Sequence, residues 1–354
     1  MDSIGKEASM TQARSQLVDP SITPYYHCIC RCVRRAFLCG HDDLTGRSYE
    51  HRKQWLVERL GMVARAFAIE VCAYAVMSNH YHLVVRINRK MAKQWSDEEV
   101  IERWESLYSL PRVIENYRSG QLSGPAATHK VRQCVDLLRQ RLGELSWFMR
   151  SLNEPLARQA NAEDQCTGRF WEGRYKSQAL LDEAALLTCM SYVDLNPVRA
   201  GIAETPEASD FTSIQARLHA YAEQGQQEAL HTEDARSSEA GAEVSLLPFG
   251  GNERRDGPDH LPFGLTDYLE LVDWSGRAVR EDKRGAIPGN LPPILQRLGV
   301  DPEVYLQSLK RSDYPFQRLA GRVEAIQNAA VHYGQHFFKG IGAARRLFGS
   351  AAVP

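Results

Sequence analysis

FAIEVCAYAVMSNHYHLVVRI, residues 67–87, decides the fold. Strand-forming residues dominate both halves, and Ser78-Asn79 between them is the kind of polar pair a tight turn uses. The stretch reads as two strands, about 67–77 and 80–87, meeting at that turn. Upstream, YYHCICRCVRRAFL (25–38) alternates imperfectly and is rich in strand formers, which predicts a strand over about 25–35. Between them, YEHRKQWLVERLGMVARA (49–66) sets Trp55, Leu56, Leu60, Val63 and Ala64 at helical spacing.

Downstream, residues 88–130 are polar and irregular and read as an insertion with one helix near Asp97–Tyr108. Residues 131–160 read as one long helix with apolar stripes, and GRFWEGRYKSQALL (168–181) as a strand. Asp182 then caps a further helix, DEAALLTCMSYVDLN, which Pro197 ends. The order strand, helix, strand, strand, helix, strand is that of a ferredoxin-like βαββαβ core in the α+β class. It implies an antiparallel sheet with helices on one face and the other face free for a ligand. The helix at 182–196 is an addition to that core.

A chain of 354 residues with 43% hydrophobic and 25% charged residues has a soluble globular composition and room for two domains. No apolar run approaches the roughly 20 residues that span a bilayer, so no membrane partner is expected. MDSIGKEASMTQARSQLVDP (1–20) is polar, reads as disordered and lacks the apolar core of a secretory signal, which places the protein in the cytoplasm. The eight cysteines show no zinc-knuckle spacing and read as small buried hydrophobes.

The net charge of −1 hides an uneven distribution. Residues 1–201 carry 27 basic against 23 acidic groups, residues 202–260 carry 4 against 12, and residues 261–354 carry 12 against 9. A mildly basic front half admits a phosphate-bearing ligand without demanding one. Residues 219–260 read as an acidic linker and 261–354 as a small, mainly helical C-terminal domain of unassigned role.

Two elements carry chemistry. His80 and His82 stand two apart on a predicted strand, so both imidazoles can reach one cation. Alone the pair says little, because a His-x-His more often forms a surface or hydrogen-bonded pair. Tyr192 and Asn196 share a helix face at a separation of four, away from the face of Leu186, Met190 and Val193. Alone, a helical tyrosine is usually an interfacial core residue.

Together the residues around these elements narrow the reading. AVMSNHYHLVVR (75–86), LSWFMRSLNEPLARQANAEDQCTGRFWEGRYKSQ (145–178) and SYVDLNPVRAG (191–201) resemble, in order, the HUH single-tyrosine transposases. They are most similar to the branch associated with repetitive extragenic palindromes (REP), the REP-associated tyrosine transposases. The resemblance covers about residues 22–218 and implies one transposase domain over 21–218. It implies Tyr192 as the nucleophile, His80 and His82 as metal ligands with Asn196 completing the site, and Mg²⁺ or Mn²⁺ as the ion. Ser78 stands where family members often carry proline. The implied partner is single-stranded DNA beside a hairpin, cut through a 5′-phosphotyrosine by a monomer or homodimer associated with a bacterial nucleoid.

Arg31, Arg34 and Arg35 near the first strand, and Arg169, Arg174 and Lys176 near the fourth, are candidates for a phosphate path. Trp171 and Tyr175 are candidates for stacking on unpaired bases. Arg277, Arg280, Lys283 and Arg284 form a further basic run whose plainer reading is solvated surface. Tyr175 also competes with Tyr192 as nucleophile but lacks an amide four residues on. Three other classes stay in view: a non-cutting hairpin-binding regulator, a replication initiator or relaxase, and an RNA-binding module. Against the last two stand the absence of a phosphate-binding Gly-x-x-x-x-Gly-Lys-Ser/Thr loop and of the aromatic RNA-binding strand signature.

Overall fold

The alternating runs become extended chain where the pattern is cleanest. The computed structural model describes residues 18–33, 38–42, 46–230, 244–250, 259–279, 292–310, 315–336 and 338–349. Strand β1 spans Tyr25–Arg31, helix α1 His51–Ala66, strand β2 Ile69–Val76 and strand β3 His80–Ile87. Ser78 and Asn79 make the turn between β2 and β3, closed by the Met77 amide donating to the His80 carbonyl at 2.8 Å.

The insertion is more helical than its polarity implied. It holds Arg89–Gln94, Asp97–Glu105 and Arg112–Arg118 as short helices. The second starts at a capping box, with the Glu99 amide donating to Ser96 Oγ at 3.2 Å and the Ser96 amide to the Glu99 carboxylate at 2.6 Å. The long helix expected over 131–160 is two helices, α2 (Pro125–Leu142) and α3 (Leu145–Glu163). Gly143 ends the first, and the extended backbone of Glu144, at φ −104° and ψ 123°, turns the chain before the second. The strand expected over 168–181 is confined to β4, Lys176–Leu180. Gly168, at φ 117°, interrupts the extended chain ahead of it, and Trp171 makes only an isolated bridge to Cys32.

Next come α4 (Glu183–Asp194), a single helical turn at Asn196–Arg199, and α5 (Ser213–Leu230). The C-terminal region supplies α6 (Leu265–Val279), α7 (Pro302–Lys310), a two-residue strand β5 (Leu319–Ala320), α8 (Val323–His332) and α9 (Ile341–Phe348). The result is a five-stranded, mostly antiparallel sheet in the order β2-β3-β1-β4-β5, packed with many helices. Among the described strands of this sheet, β4 and β5 pair parallel and the others antiparallel. This is a mixed α+β architecture.

Neither face of the sheet is free. Helices α1 and α3 cover one, with the Tyr81 hydroxyl donating to Asn153 on α3 at 2.8 Å and Phe67 edge-on to Phe148 at 5.5 Å. The face expected to stay open is covered by α4, which lies across β2 and β3. The reason is visible in α4 itself, whose residues Ala184–Asp194 are all buried. Leu186, Leu187, Met190 and Val193 each gain on the order of 2 kcal/mol by leaving water. The sheet supplies one wall for them and the C-terminal helices the other.

Contacts also cross the boundary expected at residue 261. The Leu181 amide donates to Ala320 at 2.8 Å, and buried residues of both regions share one hydrophobic cluster. Helix α5 runs into the stretch read as a linker, and the Leu247 amide donates to the Val71 carbonyl at 2.8 Å. Residues 231–243 and 251–258 of that stretch, and 1–17 of the N-terminus, lie outside the described residues. Cysteines 28, 30, 32, 39, 72 and 189 are buried, as small hydrophobes would be, whereas Cys134 is half-buried and Cys166 is exposed, against that expectation. No described helix is long and apolar enough to cross a membrane.

Candidate active site

Side chains two apart on a strand share a face, and on β3 this sets His80 and His82 together on the side covered by α4. Their Nε2 atoms lie 3.1 Å apart. Strand β1 runs alongside with Ile29 opposite His82 and Arg31 opposite His80, so exposed Arg31 stands at the mouth of the pair. Two residues along the same face, His27 brings its Nε2 to 2.9 Å from His82 Nδ1. The two rings are within 14° of parallel with centroids 5.2 Å apart, so this hydrogen bond runs edge to edge in the ring planes. The remaining ring nitrogen, His80 Nδ1, is 2.6 Å from Asn79 Oδ1.

Helix α4 brings the tyrosine to this row. Asp182 caps its start, accepting from the Ala185 amide at 2.9 Å. Near its end the Tyr192 ring meets His82 edge-on, with centroids 5.8 Å apart and planes at 80°. The helix stops at Asp194 instead of continuing through 196, and Asn196 opens the following turn. Asn196 is buried, its Oδ1 accepts from the Arg199 guanidinium, and its Nδ2 has no hydrogen-bond partner among the described residues. Arg199 in turn lies over the Tyr192 ring, with Cζ 5.1 Å from the centroid.

The electrostatics keep the imidazoles neutral. Burial pushes His80 down to about 4, helped by the charges of Arg31 and Arg199. Burial holds His82 well below the ordinary histidine range, helped by the neighbouring His27 and His80. His27, also buried, is pushed down to about 4 against the opposing effect of Gln178. Neutral imidazole is the form that ligates a cation.

Among the described residues no group of three or more His, Cys, Asp and Glu is placed to hold a metal ion. The donors brought together are the imidazoles of His80 and His82, while Asn196 turns its Oδ1 to the Arg199 guanidinium. That donor set fits a divalent cation on two counts. The 3.1 Å between Nε2 atoms is what two ligands at right angles, each about 2.1–2.2 Å from one ion, would show. The opposite nitrogen of each ring has its own partner, as ligating histidines normally do.

Of the other sequence candidates, Lys176 is exposed and pairs opposite Ile29, which puts it on the histidine face with Arg31. Arg169 and Arg174 are exposed in the segment before β4, and Arg169 lines a separate groove with Asp42, Arg47, Asn161 and Asp164. Trp171 belongs to the opposite side of the sheet, where its Nε1 donates to the Asn153 carbonyl at 2.9 Å and its ring meets Tyr81 at 5.8 Å. Tyr175 is half-buried against the core just before β4. Arg277 pairs with Asp273 on α6, while Arg34, Arg35, Arg280, Lys283 and Arg284 lie outside the described residues. His27 and Arg199 escaped the sequence reading. His27 looks like one more residue of an alternating strand, and only its place two positions from the residue opposite His82 marks it. Arg199 follows Asn196 by three, a spacing that puts both on one helical turn.

The buried histidines make acid stability measurable. His27 and His80 have folded-state values below their unfolded ones, so their contributions are complete above about pH 6.5 and are lost as pH falls through about 4. For metal-free protein, His27 alone should account for about 2–3 kcal/mol of lost stability by pH 4.5. Asp194 acts oppositely, because burial raises its carboxyl to about 6 and its charge costs less as pH falls. The readout is therefore the difference between wild type and His27→Gln in urea unfolding at pH 7 and pH 4.5. The variant should lose less stability on acidification, and an equal loss in both would refute the assignment.

No family model and no curated protein matches this chain. Among solved structures, a REP-associated tyrosine transposase bound to a REP hairpin is distantly similar, at 14% identity and a TM-score of 0.33. The match covers 67% of this chain and 99% of that one.

Proposed function

We propose that this chain is a metal-assisted transesterase of single-stranded DNA, of the HUH single-tyrosine kind, that cuts and rejoins beside a hairpin. The observation that carries the reading is the contact of Tyr192 with His82 while His80 and His82 present their Nε2 atoms 3.1 Å apart. The motif resemblance of residues 75–86 and 191–201 supports it. So does the strand order β2-β3-β1-β4, which we read as the ferredoxin-like core of a catalytic unit over residues 21–218.

In this reading His80 and His82 hold Mg²⁺ or Mn²⁺, with Asn196 completing the site. The bound ion would draw charge from a non-bridging phosphate oxygen and make phosphorus a better electrophile. Tyr192 Oη gives up its proton and attacks phosphorus. An O–P bond to tyrosine forms, the bond to the 3′ oxygen breaks, and that oxygen leaves as a hydroxyl with a proton. A second 3′-hydroxyl can reverse the step and join new ends, because the phosphotyrosine retains the bond energy. Arg199 over the Tyr192 ring favours the developing phenolate, and Arg31 and Lys176 on the same face offer cations to the phosphates.

A second reading, a hairpin-binding protein that does not cut, draws on the burial of Tyr192, which is only 2% exposed. One experiment separates the two. The full chain is incubated with end-labelled single-stranded hairpins bearing varied flanks and Mn²⁺, then run on a denaturing gel. A covalent protein–DNA band on the strand 3′ of the cut supports cleavage. Binding by gel shift with no covalent band for any flank supports the second reading and ends the first.

A further inference from the structure

His27 and Gln178 lie outside the ligand set, yet His27 shares a hydrogen bond with His82 and Gln178 stands opposite His27. With Asn79 Oδ1 accepting from His80 Nδ1, neutral His80 turns a bare Nε2 lone pair toward His82 Nε2, 3.1 Å away. Two tautomer chains are then available. In one, His27 Nε2–H donates to His82 Nδ1, and His82 Nε2–H donates to His80. Each of the three contacts in that row then pairs one donor with one acceptor, but no lone pair of His80 or His82 is left for a cation. In the other, His82 Nδ1–H donates to His27 Nε2, and both Nε2 lone pairs of the His80–His82 pair face the same point. The second chain is stable only with a cation there, since two lone pairs at that distance repel.

The second chain also moves the proton of His27 from Nε2 to Nδ1. Both chains hold one proton per ring, so none is taken up or released. Something must accept from the new Nδ1–H inside a buried strand. Gln178 stands directly opposite His27 on β4, is buried, and its Oε1 has no hydrogen-bond partner among the described residues.

Resting on the proposed metal site, we infer that His27, backed by Gln178, is a positioning pair that sets the His82 tautomer and so makes His80 and His82 competent to ligate. Outer partners of ligating histidines typically change metal affinity by about 10–100-fold when removed. The test is Mn²⁺ titration of the DNA-free full chain, followed by electron paramagnetic resonance, with thermal midpoints recorded alongside. His27→Gln supplies an acceptor where Nε2 stood and should bind Mn²⁺ within about threefold of wild type. His27→Phe fills the space without an acceptor and should bind about 10–100-fold more weakly. Gln178→Leu should weaken binding in the same direction, and it decides the question if His27→Phe does not fold. Wild-type affinity in His27→Phe or in Gln178→Leu overturns the inference, as does equal weakening in His27→Gln and His27→Phe, which would make His27 a space-filler. If wild type binds no Mn²⁺, the metal site itself falls and this inference with it.

Discussion

A Tyr192→Phe chain is expected to form no covalent adduct with hairpin DNA, a loss of roughly 10³-fold or more, as deletion of a nucleophile usually gives. The substitution is a narrow one. Phenylalanine keeps the edge-on contact with His82 and the ring beneath Arg199, so the packing of α4 is preserved. Only the hydroxyl goes, at a stability cost of about 1 kcal/mol. Folding and hairpin binding should therefore match wild type while the denaturing-gel band disappears. Tyr175→Phe should retain the band, and the reverse pattern would move the nucleophile to Tyr175.

The other large effect is expected at Asp194, two residues beyond the tyrosine. Its buried carboxylate accepts from the Tyr268 hydroxyl at 2.5 Å, from the Ile214 amide at 3.1 Å and from the Ser213 hydroxyl. Asp194→Ala leaves the Tyr268 hydroxyl and the Ile214 amide buried with no acceptor, at about 1–3 kcal/mol each before relaxation, while the Ser213 hydroxyl keeps the Tyr74 carbonyl at 3.2 Å. Because neighbouring losses do not add, a net destabilisation of about 3–5 kcal/mol is expected from urea unfolding with an unchanged slope. Asp194→Asn keeps the shape and one acceptor oxygen, and should cost less than half as much. A loss below about 1 kcal/mol in Asp194→Ala would show that the network does not support the helix.

How much of this was legible in the sequence depends on the range of the interaction concerned. The three strands β1 to β3 and the turn at Ser78-Asn79 follow from local alternation and turn chemistry, and local signals sufficed. The division of α2 from α3 was missed because Gly143 looks tolerable inside a helix until the backbone of Glu144 is seen extended. Strand β5 was beyond reach, since two residues carry no period and their partner Lys176–Leu180 lies more than a hundred positions earlier. The all-round burial of α4 was hidden for a related reason. Thr188, Ser191 and Asp194 are polar, yet each is satisfied by a backbone carbonyl or by a partner distant in sequence. In the candidate site, the motif residues were legible as types and spacings. His27, which is defined only by its register against β3, was not.

The tyrosine helix is tied at both ends to the last third of its own chain. At its start the Arg322 amide donates to Asp182 at 2.6 Å, and toward its end the Tyr305 hydroxyl reaches Ser191 at 2.8 Å and the Tyr268 hydroxyl reaches Asp194. A segment moored in this way cannot leave these helices without first breaking three hydrogen bonds, two of them buried. Any reaction at Tyr192 would then bring DNA to a side chain held in place by the far end of its own sequence.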